Sequence, residues 1–107
     1  MTSEQKKSRR QMLEEFVTQK PDDPFSRYGL AMECMNSGDT AAAGEQFQTL
    51  IERNSDYVPA YLMYAQMLVR ESRAMEAKGI LTSGLAAAAK KSDHHAESEL
   101  QALLAEL

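Results

Sequence analysis

Apolar positions recur along this chain every three to four residues, the spacing of one face of an α-helix, and turn residues interrupt them at regular distances. No sustained period-2 alternation occurs, and neither Asn-Gly nor Asp-Gly is present to close a hairpin, so strands are not expected. The pattern predicts six helices. The first is expected over about Ser3 to Gln19, with Met12/Leu13 and Phe16/Val17 four apart on one face and Thr2 with Gln5 as a capping box. Lys20-Pro21-Asp22-Asp23-Pro24 stops it and starts the second helix, with Asp23 accepting from the first free amides and Pro24 in the first turn. The second ends before Gly38, which suits a left-handed C-terminal position. The third runs from about Thr40 to Arg53, the fourth from near Val58 to Glu71, and the fifth from about Ala74 to Lys91. The sixth spans about Asp93 to Glu106, with Ala96, Leu100, Leu103, Leu104 and Leu107 as its apolar seam. All connections are short, so consecutive helices must be antiparallel neighbours. The fold class is all-α.

Shifting the sequence by 34 residues brings like onto like. Leu30 falls on Tyr64, Ala31 on Ala65, Cys34 on Leu68, Gly38 on Ser72, Ala43 on Ala77, Phe47 on Leu81 and Ile51 on Leu85. The first helix joins the register, Leu13 falling on Phe47 and Leu81, and Val17 on Ile51 and Leu85. A fixed period of this size indicates stacked helical hairpins, none of which buries its apolar face alone.

These positions resemble the tetratricopeptide repeat (TPR) family, whose unit is a helix–turn–helix of about 34 residues. Leu30-Ala31-x-x-Cys34, Gly38-Asp39, Ala43-x-x-x-Phe47 and Leu50-Ile51 stand where the family places packing residues, as do Tyr61-x-x-Tyr64-Ala65-x-x-Leu68, Ala77-x-x-x-Leu81 and Gly84-Leu85. The small residues let paired helices approach closely. Arg27 departs from the usual opening aromatic, and Ser55 and Ala89 from the closing proline. The segment Pro21 to Leu30 also resembles small bacterial members of the family. The resemblance implies a TPR-type α-solenoid: a half-repeat helix over 1–20, repeats over 24–57 and 58–91, and a capping helix over 92–107. It further implies a concave groove for a peptide or helix, lined by Phe25, Tyr28, Met32, Met35 and Asn36 and by Leu62, Met63, Gln66, Val69 and Arg70. That stripe is apolar and rich in methionine, which suits surfaces that repack around varied partners. The subclass that grips chaperone C-terminal carboxylates needs Lys and Asn where this chain has Tyr28, Met32 and Met63, and Asp93 and Glu97 fall near its other basic places. Apolar burial rather than carboxylate capture should therefore drive binding.

Charge sharpens this picture. Of 107 residues 26% are charged, net −4, but residues 1–20 carry five Lys/Arg against three Glu (+2) and the remainder seven basic against thirteen acidic residues (−6). An acidic body disfavours polyanions, so nucleic-acid contact through Lys6, Lys7, Arg9 and Arg10 is a minor alternative to a solvated helix face. One cysteine excludes an intrachain disulfide, no apolar run reaches the ~18 residues of a membrane span, and the basic N-terminal stretch leads into no apolar segment. The expectation is a cytoplasmic chain with no membrane contact.

Chemistry is sparse. His94 and His95 point about 100° apart on a helix and find only Glu97 nearby, so no metal site is expected. Cys34 lies on the interior stripe as a small hydrophobe with no base beside it, and Glu14/Glu15 and Asp22/Asp23 fall on solvated faces and turns. With no phosphate loop or nucleophile elbow, neither cofactor nor catalytic residue is expected and the chain reads as a non-enzyme. Gly79 inside the fifth helix costs about 1 kcal/mol relative to Ala, for which close helix approach is the expected compensation. The functional expectation is a protein-interaction module, with homodimerisation through the same groove as the alternative.

Overall fold

The computed structural model describes residues 6–107 and contains α1 (Arg9–Gln19), α2 (Pro24–Asn36), α3 (Thr40–Arg53), α4 (Pro59–Arg70), α5 (Ala74–Lys90) and α6 (His94–Ala105). Among the described residues there is no strand. The all-α expectation and the boundaries of five helices hold to within a residue or two. The first helix differs: it begins at Arg9, not Ser3. Ser8 accepts from the Gln11 amide at 3.1 Å while the Gln11 side chain accepts from the Ser8 amide at 2.8 Å, a reciprocal box that fixes the start there. The Thr2/Gln5 box lies outside the described residues.

Every helix start except that of α5, where Arg73 makes no capping bond, has a local cause. Asp23 caps α2 through the Phe25 amide, Asp39 caps α3 through Ala42 and Asp93 caps α6 through Ala96, while prolines open α2 and α4. Three helix ends share one turn. The amides of Asp39, Arg73 and Asp93 reach back to the carbonyls of Cys34, Leu68 and Ala88 at 2.8–2.9 Å, and the preceding residue is left-handed each time. That residue is Gly38 (φ 87°) once, but Ser72 (φ 61°) and Ser92 (φ 55°) in the other two.

Packing runs between sequence neighbours: α1 on α2, α2 on α3, α3 on α4, α4 on α5 and α5 on α6, with α6 also touching α4. The result measures 55 × 28 × 20 Å with a radius of gyration of 15.1 Å, against about 13 Å for a spherical domain of this length, as a stack of hairpins requires. Its core follows the 34-residue register: Ala31 and Ala65, Ala43 and Ala77, and Phe47 and Leu81 are all 0% exposed. The Phe47 and Tyr64 rings stack at 5.4 Å, joining the two hairpins. Arg27, standing where the opening aromatic is usual, is buried, and donates to Gln46 Oε1 at 2.9 Å and the Pro21 carbonyl at 3.1 Å. Burial and the neighbouring Arg53 lower the pKa of its guanidinium.

The glycines divide. A Cβ at Gly84 would lie 2.6 Å from Tyr61 Cβ, so this is a true close approach of α4 and α5. At Gly79 a Cβ would meet nothing within 4 Å, so the close approach expected there does not exist and its helix cost stands uncompensated.

Candidate groove between α2, α4 and α6

The even-numbered helices form one face of the stack and leave a cleft of about 260 Å³ between them. Tyr28 comes from α2, Val58, Pro59, Leu62 and Met63 from the start of α4, and Asp93, His95, Ala96, Glu99 and Leu100 from α6 and its cap. A second hollow of about 360 Å³ continues along the α4/α6 seam between Leu62, Gln66, Glu99, Ala102, Leu103 and Glu106. The floor is aliphatic and aromatic, whereas the α6 wall brings the carboxylates of Asp93, Glu99 and Glu106.

Rigid packing orients the floor. Tyr28 sets its ring 5.4 Å from Tyr57 and edge-on to Phe47 at 6.5 Å, and burial followed by Tyr57 raises the phenol's pKa. Tyr61, one residue before Leu62, is held from behind by its hydroxyl donating to the Ser55 carbonyl at 2.6 Å. On the α6 wall His95 Nε2 lies 3.5 Å from Glu99, while His94 Nδ1 lies 2.9 Å from Glu97 further round the helix. The two histidines thus pair with different carboxylates, and among the described residues no three potential ligands converge on a metal position.

Of the ten groove residues expected from the sequence, Tyr28, Leu62, Met63 and Gln66 line these hollows. Met32 and Val69 are half-buried against the core, and Asn36 is exposed at the end of α2. Met35 and Arg70 meet each other across α2 and α4, the Arg70 guanidinium donating to Met35 Sδ at 3.2 Å. Phe25 is elsewhere. It sits in the first turn of α2, is 73% exposed, and faces α1 beside Phe16, on the far side from the cleft. The contribution of α6 was missed as a wall, although the register held the signal: Tyr28 plus 34 is Leu62, and Leu62 plus 34 is Ala96.

Cys34 is 1% exposed, and burial pushes its thiol up. Three of the four basic N-terminal side chains are engaged by carboxylates: Lys7 with Glu15, Arg9 with Glu33, and Arg10 with Glu14 and Asp39. Among the described residues no helix is long and apolar enough to cross a membrane.

No family sequence model matches this chain, and no curated protein does. Solved structures do, among them the following two. The solution NMR structure of a tetratricopeptide repeat domain protein from Salinibacter ruber superposes with a TM-score of 0.77 at 30% identity, covering 81% of this chain and 88% of that one. The crystal structure of a tetratricopeptide repeat domain protein from the same organism gives 0.73 at 30% identity, over 78% of this chain and 93% of that one. With six helices stacked in a 34-residue register and this likeness over most of both chains, the protein belongs to the tetratricopeptide repeat family.

Proposed function

We propose that this chain is a non-catalytic protein-interaction module that takes an apolar peptide or one face of an amphipathic helix into the cleft between α2, α4 and α6. The observation that carries this is the composition of the cleft: Tyr28, Leu62, Met63, Ala96 and Leu100 form an apolar floor beneath the carboxylates of Asp93, Glu99 and Glu106. An apolar floor rewards burial of a partner's hydrophobic anchors, and an acidic rim favours basic residues flanking them. The same rim repels an acidic C-terminal tail. Homodimerisation through this groove remains the competing use of the same surface. A groove this short buries less than about 1,200 Å², so affinity near micromolar, about −8 kcal/mol, is expected.

The test is affinity capture from the native cell with the wild-type chain, Tyr28→Asp and Leu62→Asp, after circular dichroism has verified that each variant is folded. Proteins recovered by the wild type and lost from both variants support the reading. Identical recovery by all three, or a concentration-dependent dimer that Leu62→Asp dissociates, overturns it.

A further inference from the structure

The cleft between α2, α4 and α6 is open because of how α6 is joined. Within the hairpins α2/α3 and α4/α5, three residues connect the helices and turn on left-handed Gly38 or Ser72. Five residues, 54–58, make the step from α3 to α4 between hairpins. The step from α5 to α6 holds the same place in the register, yet it takes the three-residue form and turns on Ser92. Thus α6 lies along α5 and only lightly against α4, and a seam stays open between α4 and α6.

Two properties of that seam specify its occupant. The first is charge, which is one-sided. Residues 92–107 include Asp93, Glu97, Glu99 and Glu106 but neither Lys nor Arg. On α4 the one charged residue is Arg70, whose guanidinium is turned to Met35 Sδ at 3.2 Å. Glu99 and Glu106 line the seam two helical turns apart, about 10 Å along α6, together with Leu62 and Gln66 of α4. Of the side chains lining the two hollows only His95, with Nε2 3.5 Å from Glu99, can bear positive charge. The second property is the state of the backbone. Both walls are helices whose interior amides and carbonyls bond within the helix, so they offer an incoming chain no backbone partners. An extended peptide pressed against them would leave its own wall-side amides and carbonyls unsatisfied, each at the cost of a lost hydrogen bond. A helix satisfies its backbone internally and presents only side chains.

We infer that the occupant of the cleft is a basic amphipathic helix laid along the α4/α6 seam. Its apolar face rests on Leu62, Met63 and Leu103, and Lys or Arg side chains seven residues apart on its edge meet Glu99 and Glu106. The acidic wall from Asp93 to Glu106 runs about 20 Å, the length of a helix of about 13 residues. This inference rests on the interaction reading above and narrows it, from an apolar segment of either conformation to a helix of positive charge.

The probe is a synthetic peptide of about 14 residues built from Leu, Ala and Lys. Its leucines stand at three- and four-residue spacing on one face, and two lysines seven apart lie on the edge of that face. A second peptide replaces the lysines by Glu, and a third carries a central Pro that breaks the helix. Each is titrated into the wild-type chain, Leu62→Asp, and the double variant Glu99→Gln with Glu106→Gln. Fluorescence anisotropy reads affinity and amide chemical shifts read location. Saturable binding of the basic peptide that shifts α4 and α6 amides is expected, with the Glu and Pro peptides about tenfold weaker or worse. The double Gln variant should bind the basic peptide about three- to tenfold more weakly. Leu62→Asp adds a negative charge, so attraction by net charge alone would tighten binding there, whereas seating in the seam is lost. Equal binding of the Glu or the Pro peptide, abolished by Leu62→Asp, overturns the inference and leaves the cleft reading in place. No binding of the basic peptide, or binding that Leu62→Asp does not weaken, also overturns it, and the cleft reading then stands or falls on recovery from the native cell. Sedimentation that finds a second copy seated in the cleft overturns both.

Discussion

Replacing Gly84 by Ala isolates the close approach that holds the second hairpin together. In an exposed helix interior the change should stabilise by about 1 kcal/mol through helix propensity alone. At Gly84 the added Cβ would lie 2.6 Å from Tyr61 Cβ, 3.0 Å from its Cγ and 3.3 Å from Leu100 Cδ2. Tyr61 Cβ is fixed to the α4 backbone and no rotamer moves it, so α4 and α5 must separate by about 1 Å to restore van der Waals distance. Overpacking of this kind costs about 1–3 kcal/mol, and the rigid contact puts Gly84 at the upper end. Net destabilisation of about 1–2 kcal/mol follows, which lowers Tm by roughly 4–8 °C per kcal/mol in a domain of this size. Gly79→Ala is the internal control, because its Cβ meets nothing within 4 Å on the same helix and it should raise stability by about 1 kcal/mol. Thermal unfolding followed at 222 nm reads both. If Gly84→Ala melts at or above Gly79→Ala, the close approach does not constrain the hairpin and the reasoning fails.

Further outcomes follow from the turns and the capping carboxylates. Ser72→Gly and Ser92→Gly each relieve a left-handed serine at a helix end and should stabilise by about 0.5–1 kcal/mol, adding in the double variant, with denaturant midpoints as the readout. No gain at either site would show that the turn carries no strain. Asp39 accepts from Arg10 at 2.8 Å and from the Ala42 amide, and these bonds, Arg10's first, hold its carboxyl below the usual range. Its stabilisation is therefore complete above the unfolded value of about 3.9 and fades as pH falls through the lower folded value. Asp39→Asn, which keeps an amide-accepting cap, should show a shallower loss of stability below about pH 4 than the wild type. Equal slopes in acid denaturation curves would remove Asp39 from the account.

Local rules made most of the fold legible. Asp23, Asp39 and Asp93, the prolines of α2 and α4, and Gly38 marked ends that depend on nearest neighbours in the chain. The start of α1 was ambiguous because Thr2/Gln5 and Ser8/Gln11 offer the same local chemistry. What anchors the second lies far along the chain, the ion pairs of Arg9 with Glu33 and Arg10 with Asp39. The family resemblance placed Phe25 with Tyr28, three residues apart on one helix. It could not tell which neighbour that end of α2 would face, and α1 and α4 lie on opposite sides of it. Gly79 and Gly84 both read as glycines inside one helix, and only the position of Tyr61 separates them. The α6 wall was hidden because 92–107 read only as a capping helix, and its polar His95 and Glu99 carry no sign of a groove in the sequence.

That wall has a consequence for how occupancy and durability are linked. Leu100 anchors α6 in the core at 1% exposure, and the same helix completes both hollows. Among the described helices α6 packs only on α5 and, lightly, on α4, and an element held by so few neighbours opens more readily than one packed on both sides. Any molecule seated there would act as a latch on that tail, slowing amide hydrogen exchange from His94 to Ala105 more than anywhere else in the chain.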